Sequence, residues 1–258
     1  MRERRETLLI QSIIVAFSMY SKIPMPKIEW NKKNIKYALC FFPAVGLVIG
    51  AVLYTVMWFG MKYQMGKLFL SCIATVIPVF ITGGIHLDGY LDTIDALSSY
   101  ADKEKRLEIL KDSNSGAFAI IFGIVYFILS IGIWSEMSWN AMPFIWISYI
   151  MSRTLSAFSI AAFPLAKNTG LAATFQDNAH RKNVKIIMCL YFIVESLILL
   201  YINILLGIAV IVVSLLSFAY HYYGCKKKFG GITGDLAGYF LQICELAVSA
   251  ILMILCKL

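Results

Sequence analysis

Cysteine pairs at metal-knuckle spacing are missing from this chain. Its six cysteines stand at 40, 72, 189, 225, 244 and 256, mostly inside apolar runs, where a free thiol behaves as a small hydrophobe. Neither a zinc knuckle nor a disulfide framework is expected. Charge is scarce as well. Asp, Glu, Lys and Arg make up 15% of the 258 residues while 60% are hydrophobic, against about 45–50% apolar in a soluble domain. With a mean hydropathy of +0.76, the composition excludes an ordinary soluble domain and calls for an integral membrane protein. There is no internal repeat and no low-complexity segment. The N-terminus is basic and precedes an apolar run, but no small-residue cleavage site follows, so loss of a signal peptide is not expected. The net charge of +8 does not signal nucleic acid, because the lysines and arginines sit between apolar runs. That distribution suits contact with anionic lipid and with phosphate-rich substrates at the same surface.

The apolar runs predict an all-α, polytopic membrane bundle organised as a single domain over residues 1–258. Seven spans are expected, near 37–60, 67–86, 117–134, 141–163, 186–202, 204–222 and 235–256. Leu8–Tyr20 is too short for a comfortable span of about 20 residues and reads as an interfacial or re-entrant helix. Pro24 and Pro26 end it. Residues 87–97 read as a continuation of the second span's helix. Residues 103–111 alternate charge with Leu107, Ile109 and Leu110 and read as a short surface helix, with serine or Asp102 available as its cap. The turn at Asn203 is tight enough to leave the fifth and sixth spans open to a different division.

Lysine and arginine set the orientation. The segments 1–36, 86–115, 164–185 and 224–233 hold nineteen of them, and the opposite side holds three, Lys62, Lys67 and Lys257. Cytoplasmic loops carry such an excess. Every polar, small-residue-rich loop, at 83–116, 164–185 and 224–238, therefore falls on the cytoplasmic side, and the C-terminus on the other.

The most informative stretch is Gly83-Gly84-Ile85-His86-Leu87-Asp88-Gly89-Tyr90-Leu91-Asp92-Thr93-Ile94-Asp95. At about 100° per residue, aspartates at i, i+4 and i+7 share one narrow helix face. Carboxylates that close repel one another unless a cation sits between them. An all-oxygen set suits Mg²⁺, with Mn²⁺ as an alternative, rather than a thiolate-loving metal. Taken singly, each aspartate reads equally well as part of a solvated face. Asp112, before Asn114 and Gly116, is placed to complete the cation site or to end a helix. His86 lies about 200° from Asp88 on an ideal helix and faces elsewhere unless the helix begins after it; a base or a phosphate contact is its functional reading. Lys111 meets phosphate or snorkels.

Arg153 lies inside the fourth span beside Ser152 and Ser156. A buried arginine in lipid needs an anion, either a phosphate or the carboxylate of Glu195 or Glu245. The Phe229-Gly230-Gly231-Ile232-Thr233-Gly234-Asp235 segment before the last span offers backbone N–H groups to phosphate, with Asp235 alternatively an N-cap.

The chain resembles the cobalamin synthases, the adenosylcobinamide-GDP ribazoletransferases. The resemblance is carried by Ile23-Pro24, by the glycine–aspartate run from Gly83 to Asp95, by Arg106-Leu107-Glu108-Ile109-x-Lys111-Asp112-Ser113 with Gly116, and by Gly230-Gly231-x-Thr233-Gly234-Asp235-x-x-Gly238. It covers nearly the whole chain. It implies an enzyme of late vitamin B12 assembly in a bacterial or archaeal cytoplasmic membrane. A hydroxyl of α-ribazole, or of its 5′-phosphate, would attack the phosphorus attached to cobinamide and release GMP. Asp88, Asp92, Asp95 and Asp112 would hold Mg²⁺; Lys111, Arg153 and the Gly230, Gly231, Thr233, Asp235 loop would contact phosphate; His86 is the leading candidate for a base. The partners implied are the two substrates and the lipid bilayer, with no nucleic acid. A homo-oligomer and association with other cobalamin-assembly enzymes are left open. A looser likeness to CDP-alcohol phosphotransferases departs at Asp92, where an alanine is expected. A carboxylate-based ion-coupled transporter would place its acids mid-span, whereas these follow the apolar run.

Overall fold

In lipid a long apolar run can satisfy its backbone only by coiling into a helix or closing into a barrel, and this chain coils. The computed structural model describes residues 2–112, 114–178 and 180–258. Its helices are α1 (Arg2–Tyr20), α2 (Lys32–Ile35), α3 (Phe42–Lys62), α4 (Lys67–Thr82), α5 (Ile85–Ser98), α6 (Lys103–Ile109), α7 (Ala117–Ser135), α8 (Met142–Ala162), α9 (Leu171–Asn178), α10 (Arg181–Ile202), α11 (Ile204–Gly224) and α12 (Gly234–Leu255). Among the described residues no strand forms; a lone bridge pairs Leu165 with Ile232. Among the described residues six helices are long and apolar enough to cross a membrane, or seven if α4 and α5 together make one bent span. The expected all-α bundle is observed, with span boundaries close to those read from the sequence.

Local chemistry explains the breaks. Asn203 is extended (φ −161°, ψ 122°), ends α10 and caps α11, its side chain accepting from Leu206 N at 3.0 Å. The fifth and sixth spans are thus two helices. Asp102 caps α6 by accepting from Lys105 N at 2.9 Å, as the sequence predicts. Helices α7, α10 and α11 keep most of their apolar side chains on the outside, whereas α8 is largely enclosed. The centre of the bundle is α8, packed against α3, α10 and α12.

One expectation changes. Residues 87–97 are helical, as expected, but they do not continue along the axis of α4. Gly83 (φ 66°) and Gly84 (φ 81°) are both left-handed, a conformation that costs an L side chain about 1–2 kcal/mol per residue. Two in succession turn the chain by 97° between α4 and α5. Helix α5 therefore leaves the axis of α4 and packs against α12 and α7.

Candidate active site

The elbow aims α5 across the start of α12, and the two backbones nearly touch. A Cβ added at Gly89 would lie 2.7 Å from the Asp235 carbonyl oxygen, and one at Gly238 would lie 3.0 Å from the carbonyl of His86. Tyr90 and Tyr239 stack alongside, with ring centroids 5.7 Å apart. The crossing brings Asp235 to the aspartate face of α5. There the Asp92 carboxyl is pushed up to about 7, first by burial and then by the charges of Asp88, Asp235 and Asp95. Like charges near one another raise each other's proton affinity.

Thr233, not Asp235, caps α12: its hydroxyl accepts from Leu236 N at 3.2 Å and donates to Asp235 Oδ2 at 3.2 Å. The Asp235 carboxylate is thereby spared from capping. Asp95 has a different task. Its two oxygens accept from Gly116 N and from Ala119 N, the latter at 2.8 Å, so it caps α7 from a neighbouring helix, where a negative charge also meets the positive end of the dipole.

A cavity of about 340 Å³ opens beside this crossing. Its walls include Tyr20, Phe42 and Phe175, all buried, and its rim carries Asp88, Asp235 and Lys167. His86 lines it too, since it stands in the first turn after the elbow and not on a long helix facing away. The imidazole is buried against Tyr20 and Phe42, with centroids 6.1 and 5.6 Å away. Burial, helped by Arg153, pushes its pKa down to about 3, and its Nε2 has no partner among the described residues. On the other side of Asp88 lies a second, more open cavity of about 580 Å³, lined by Lys22, Gly83 and Gly84 among others.

The remaining predicted residues fall elsewhere. Asp112 is exposed and turns back on Asn114, accepting from its N at 3.0 Å and its Nδ2 at 2.9 Å; it is not brought to the aspartate face. Lys111 is exposed at the end of α6. Arg153 is buried and pairs with Glu245 across α8 and α12, also donating to Tyr149 O at 2.9 Å. Of the two options that the sequence offers for Arg153, the helix–helix ion pair is the one made. Glu195 instead accepts from Thr154 Oγ1 at 2.7 Å. The glycine loop is tied to its neighbours: Gly231 N donates to Cys225 O (2.9 Å) and Ile232 N to Pro164 O (2.8 Å). Two of the amides expected for phosphate are therefore spent, one closing the loop on itself and one tying it to the 164–185 loop, and Arg106 links it to the 83–116 loop through Lys228 O at 3.2 Å.

Among the described residues, no three His, Cys, Asp or Glu side chains are grouped as a ready metal cage. The donor chemistry still fits a hard cation, because Asp88, Asp92 and Asp235 supply oxygen only and stand close enough to repel. Sequence reasoning missed the aromatic cavity, with Lys167 and Ser156 among its lining residues. The neighbouring Ser152–Arg153–Ser156 run was the one signal available.

The fold and the site now stand beside known proteins. Residues 12–253 match the family model described as cobalamin-5-phosphate synthase. A curated relative from Lachnoclostridium phytofermentans, named adenosylcobinamide-GDP ribazoletransferase, is 45% identical over 237 residues, covering 92% of this chain and 91% of its own length. Relatives with the same name from Clostridium botulinum and Fusobacterium nucleatum are 33% and 30% identical, each covering 92% of this chain and 95% of their own. No solved structure matches.

Proposed function

This chain belongs to the cobalamin-5-phosphate synthase family, and we propose that its aspartate crossing performs the transfer as a magnesium-dependent phosphoryl transfer on the cytoplasmic face of the membrane. The enzyme is an adenosylcobinamide-GDP ribazoletransferase, joining the cobinamide moiety to ribazole. A ribazole hydroxyl forms a new P–O bond to the phosphorus that carries cobinamide. The bond from that phosphorus to the GMP oxygen breaks, and GMP leaves with the electron pair.

The observation that carries this reading is the position of Asp88, exposed between the enclosed cavity and the open one. Two substrates approaching from the two sides would meet there. Asp88, Asp92 and Asp235 would hold Mg²⁺ (Mn²⁺ is the alternative), which supplies neutralisation of the diphosphate charge. Lys167 on the rim adds a positive charge for phosphate. His86 Nε2 stands unpaired among the described residues, but an imidazole pushed down to about 3 is a poor proton acceptor, and the hydroxyl proton falls to an aspartate of the crossing. Asp95 serves this site by positioning α7, and Arg153 by holding α8 to α12. The excess of nineteen Lys/Arg over three on the site's side of the membrane supports the cytoplasmic orientation.

The test is GMP release by purified protein in lipid nanodiscs from adenosylcobinamide-GDP and α-ribazole, with and without Mg²⁺. Release that needs both substrates and stops with EDTA is expected. Release unaffected by chelation would remove the metal from the mechanism.

A further inference from the structure

The cavity carries its charged side chains at one end, and among the described residues its buried walls hold two unpaired polar atoms, His86 Nε2 and Ser156 Oγ, among apolar and aromatic groups. Asp88, Asp235 and Lys167 stand at its mouth. Along α12, Leu241 lies six residues beyond Asp235, a rise of about 9 Å, and along α8, Ser156 lies four residues deeper than Ile160. Ser156 is fully buried, yet among the described residues its hydroxyl has no hydrogen-bond partner. A buried hydroxyl left unsatisfied costs stability, so the deep end holds one unused hydrogen bond inside apolar and aromatic walls.

Resting on the function proposed above, we infer that this cavity binds the benzimidazole base of ribazole, with Ser156 Oγ donating to the unsubstituted ring nitrogen and the ribose lying at the mouth beside Asp88. Size is the first reason. Ligand pockets run from about 300 to 1,000 Å³, so one of about 340 Å³ admits a nucleoside and excludes a corrin ring. Polarity is the second. A benzimidazole nucleoside has one free acceptor on its base and no donor, and the deep end offers one free hydroxyl. Guanine, the other flat ring in the reaction, carries a carbonyl, a ring N–H and an amino group, more than the two unpaired atoms there, Ser156 Oγ and His86 Nε2, could satisfy. The ring cluster itself is the third: Tyr20 packs 4.1 Å from Phe42 and 6.1 Å from Phe175, centroid to centroid, a surface suited to a flat base. Placing the base deep puts the ribose hydroxyls beside Asp88, next to the open cavity where the bulky corrinoid substrate has room.

The experiment combines Ser156→Ala with 1-ribosyl-5,6-dimethylindole, which replaces the acceptor nitrogen by C–H. Because Ser156 Oγ has no partner among the described residues, removing it leaves folding intact. In Ser156→Ala the KM for α-ribazole should rise about tenfold, with the KM for adenosylcobinamide-GDP unchanged. The wild type should lose the same factor on the indole analogue, and the variant should lose nothing further. Equilibrium dialysis of α-ribazole against nanodisc-held protein reads the same preference without turnover. A preparation that binds ribazole through Ser156 but releases no GMP would count against the proposed reaction and leave the cavity assignment standing. An unchanged ribazole affinity in Ser156→Ala, or a loss confined to the GDP-linked substrate, would overturn the assignment. A second variant, Ile160→Phe, narrows the cavity and should abolish ribazole binding alone; retained ribazole binding in this variant would also overturn it.

Discussion

Gly89 lies against the backbone of Asp235 so closely that a Cβ would fall 2.7 Å from the carbonyl oxygen and 2.9 Å from Cα. Backbone, unlike the end of a flexible side chain, cannot swing aside. Gly89→Ala must therefore push α5 off α12 and separate Asp88 and Asp92 from Asp235. Overpacking of this kind costs about 1–3 kcal/mol, and displacement of a reacting site by about 1 Å costs about 100-fold in rate. The expected result is a lowered Tm with kcat reduced by about that factor. Gly132→Ala, where no atom lies within 4 Å of the added Cβ, is the matched control and should behave as wild type.

Asp88→Asn and Asp92→Asn test the charge itself. Each keeps the side-chain volume and removes one carboxylate of the mutually repelling set at the crossing with Asp235. Each should lower GMP release by about 100-fold or more, equivalent to about 3 kcal/mol of transition-state stabilisation. Membrane insertion and gel-filtration behaviour should not change. Near-normal turnover in both variants would take the pair out of the cation site.

How much of this could be read beforehand depends on how local each signal is. The helices and their ends were legible because the information sits within a few residues: Asp102 capping Lys105, or the extended Asn203 between α10 and α11. The glycine–aspartate run was legible as a carboxylate face. The elbow was not, because glycine permits a left-handed φ without demanding it, and nothing within the segment says that Gly83 and Gly84 adopt it together. Asp95 looked identical to Asp88 and Asp92, yet its acceptor oxygens meet amides 21 and 24 residues away. The cavity was invisible for the same reason. Tyr20, Phe42, Ser156 and Phe175 come from α1, α3, α8 and α9, and no spacing within one segment announces that they meet.

Asp95 separates a capping role from a metal-binding one. Loss of an N-cap costs about 0.5–2 kcal/mol, so Asp95→Ala should lower Tm and reduce activity by less than the Asp88 and Asp92 changes do. Asp95→Ser retains an acceptor for an α7 amide and should recover part of the Tm. The apparent Mg²⁺ requirement, read as the concentration for half-maximal GMP release, should stay near the wild-type value in both. A large increase in that concentration in Asp95→Ser would return the residue to the cation site.

Arg153 poses the opposite question, whether a charge that looks functional is holding helices together. It is buried with Glu245, and Ser152 Oγ also donates to Glu245 Oε1 at 2.9 Å. Breaking a buried pair by removing one partner costs about 3–5 kcal/mol, because the other charge is left unpaired, whereas replacing both with apolar groups of similar volume is often neutral. Arg153→Met should therefore sharply lower the yield of folded protein, with Ser152 rescuing only part of the loss. The double variant Arg153→Met/Glu245→Leu should restore yield and Tm. The decisive measurement is the KM for adenosylcobinamide-GDP in that folded double variant. A value within about threefold of wild type, well under the tenfold that one charge-assisted hydrogen bond is worth, is expected of a helix–helix tie. A folded double variant that has lost the GDP-linked substrate would instead make Arg153 a phosphate contact, reaching the ligand through the Nε that stands without a partner among the described residues.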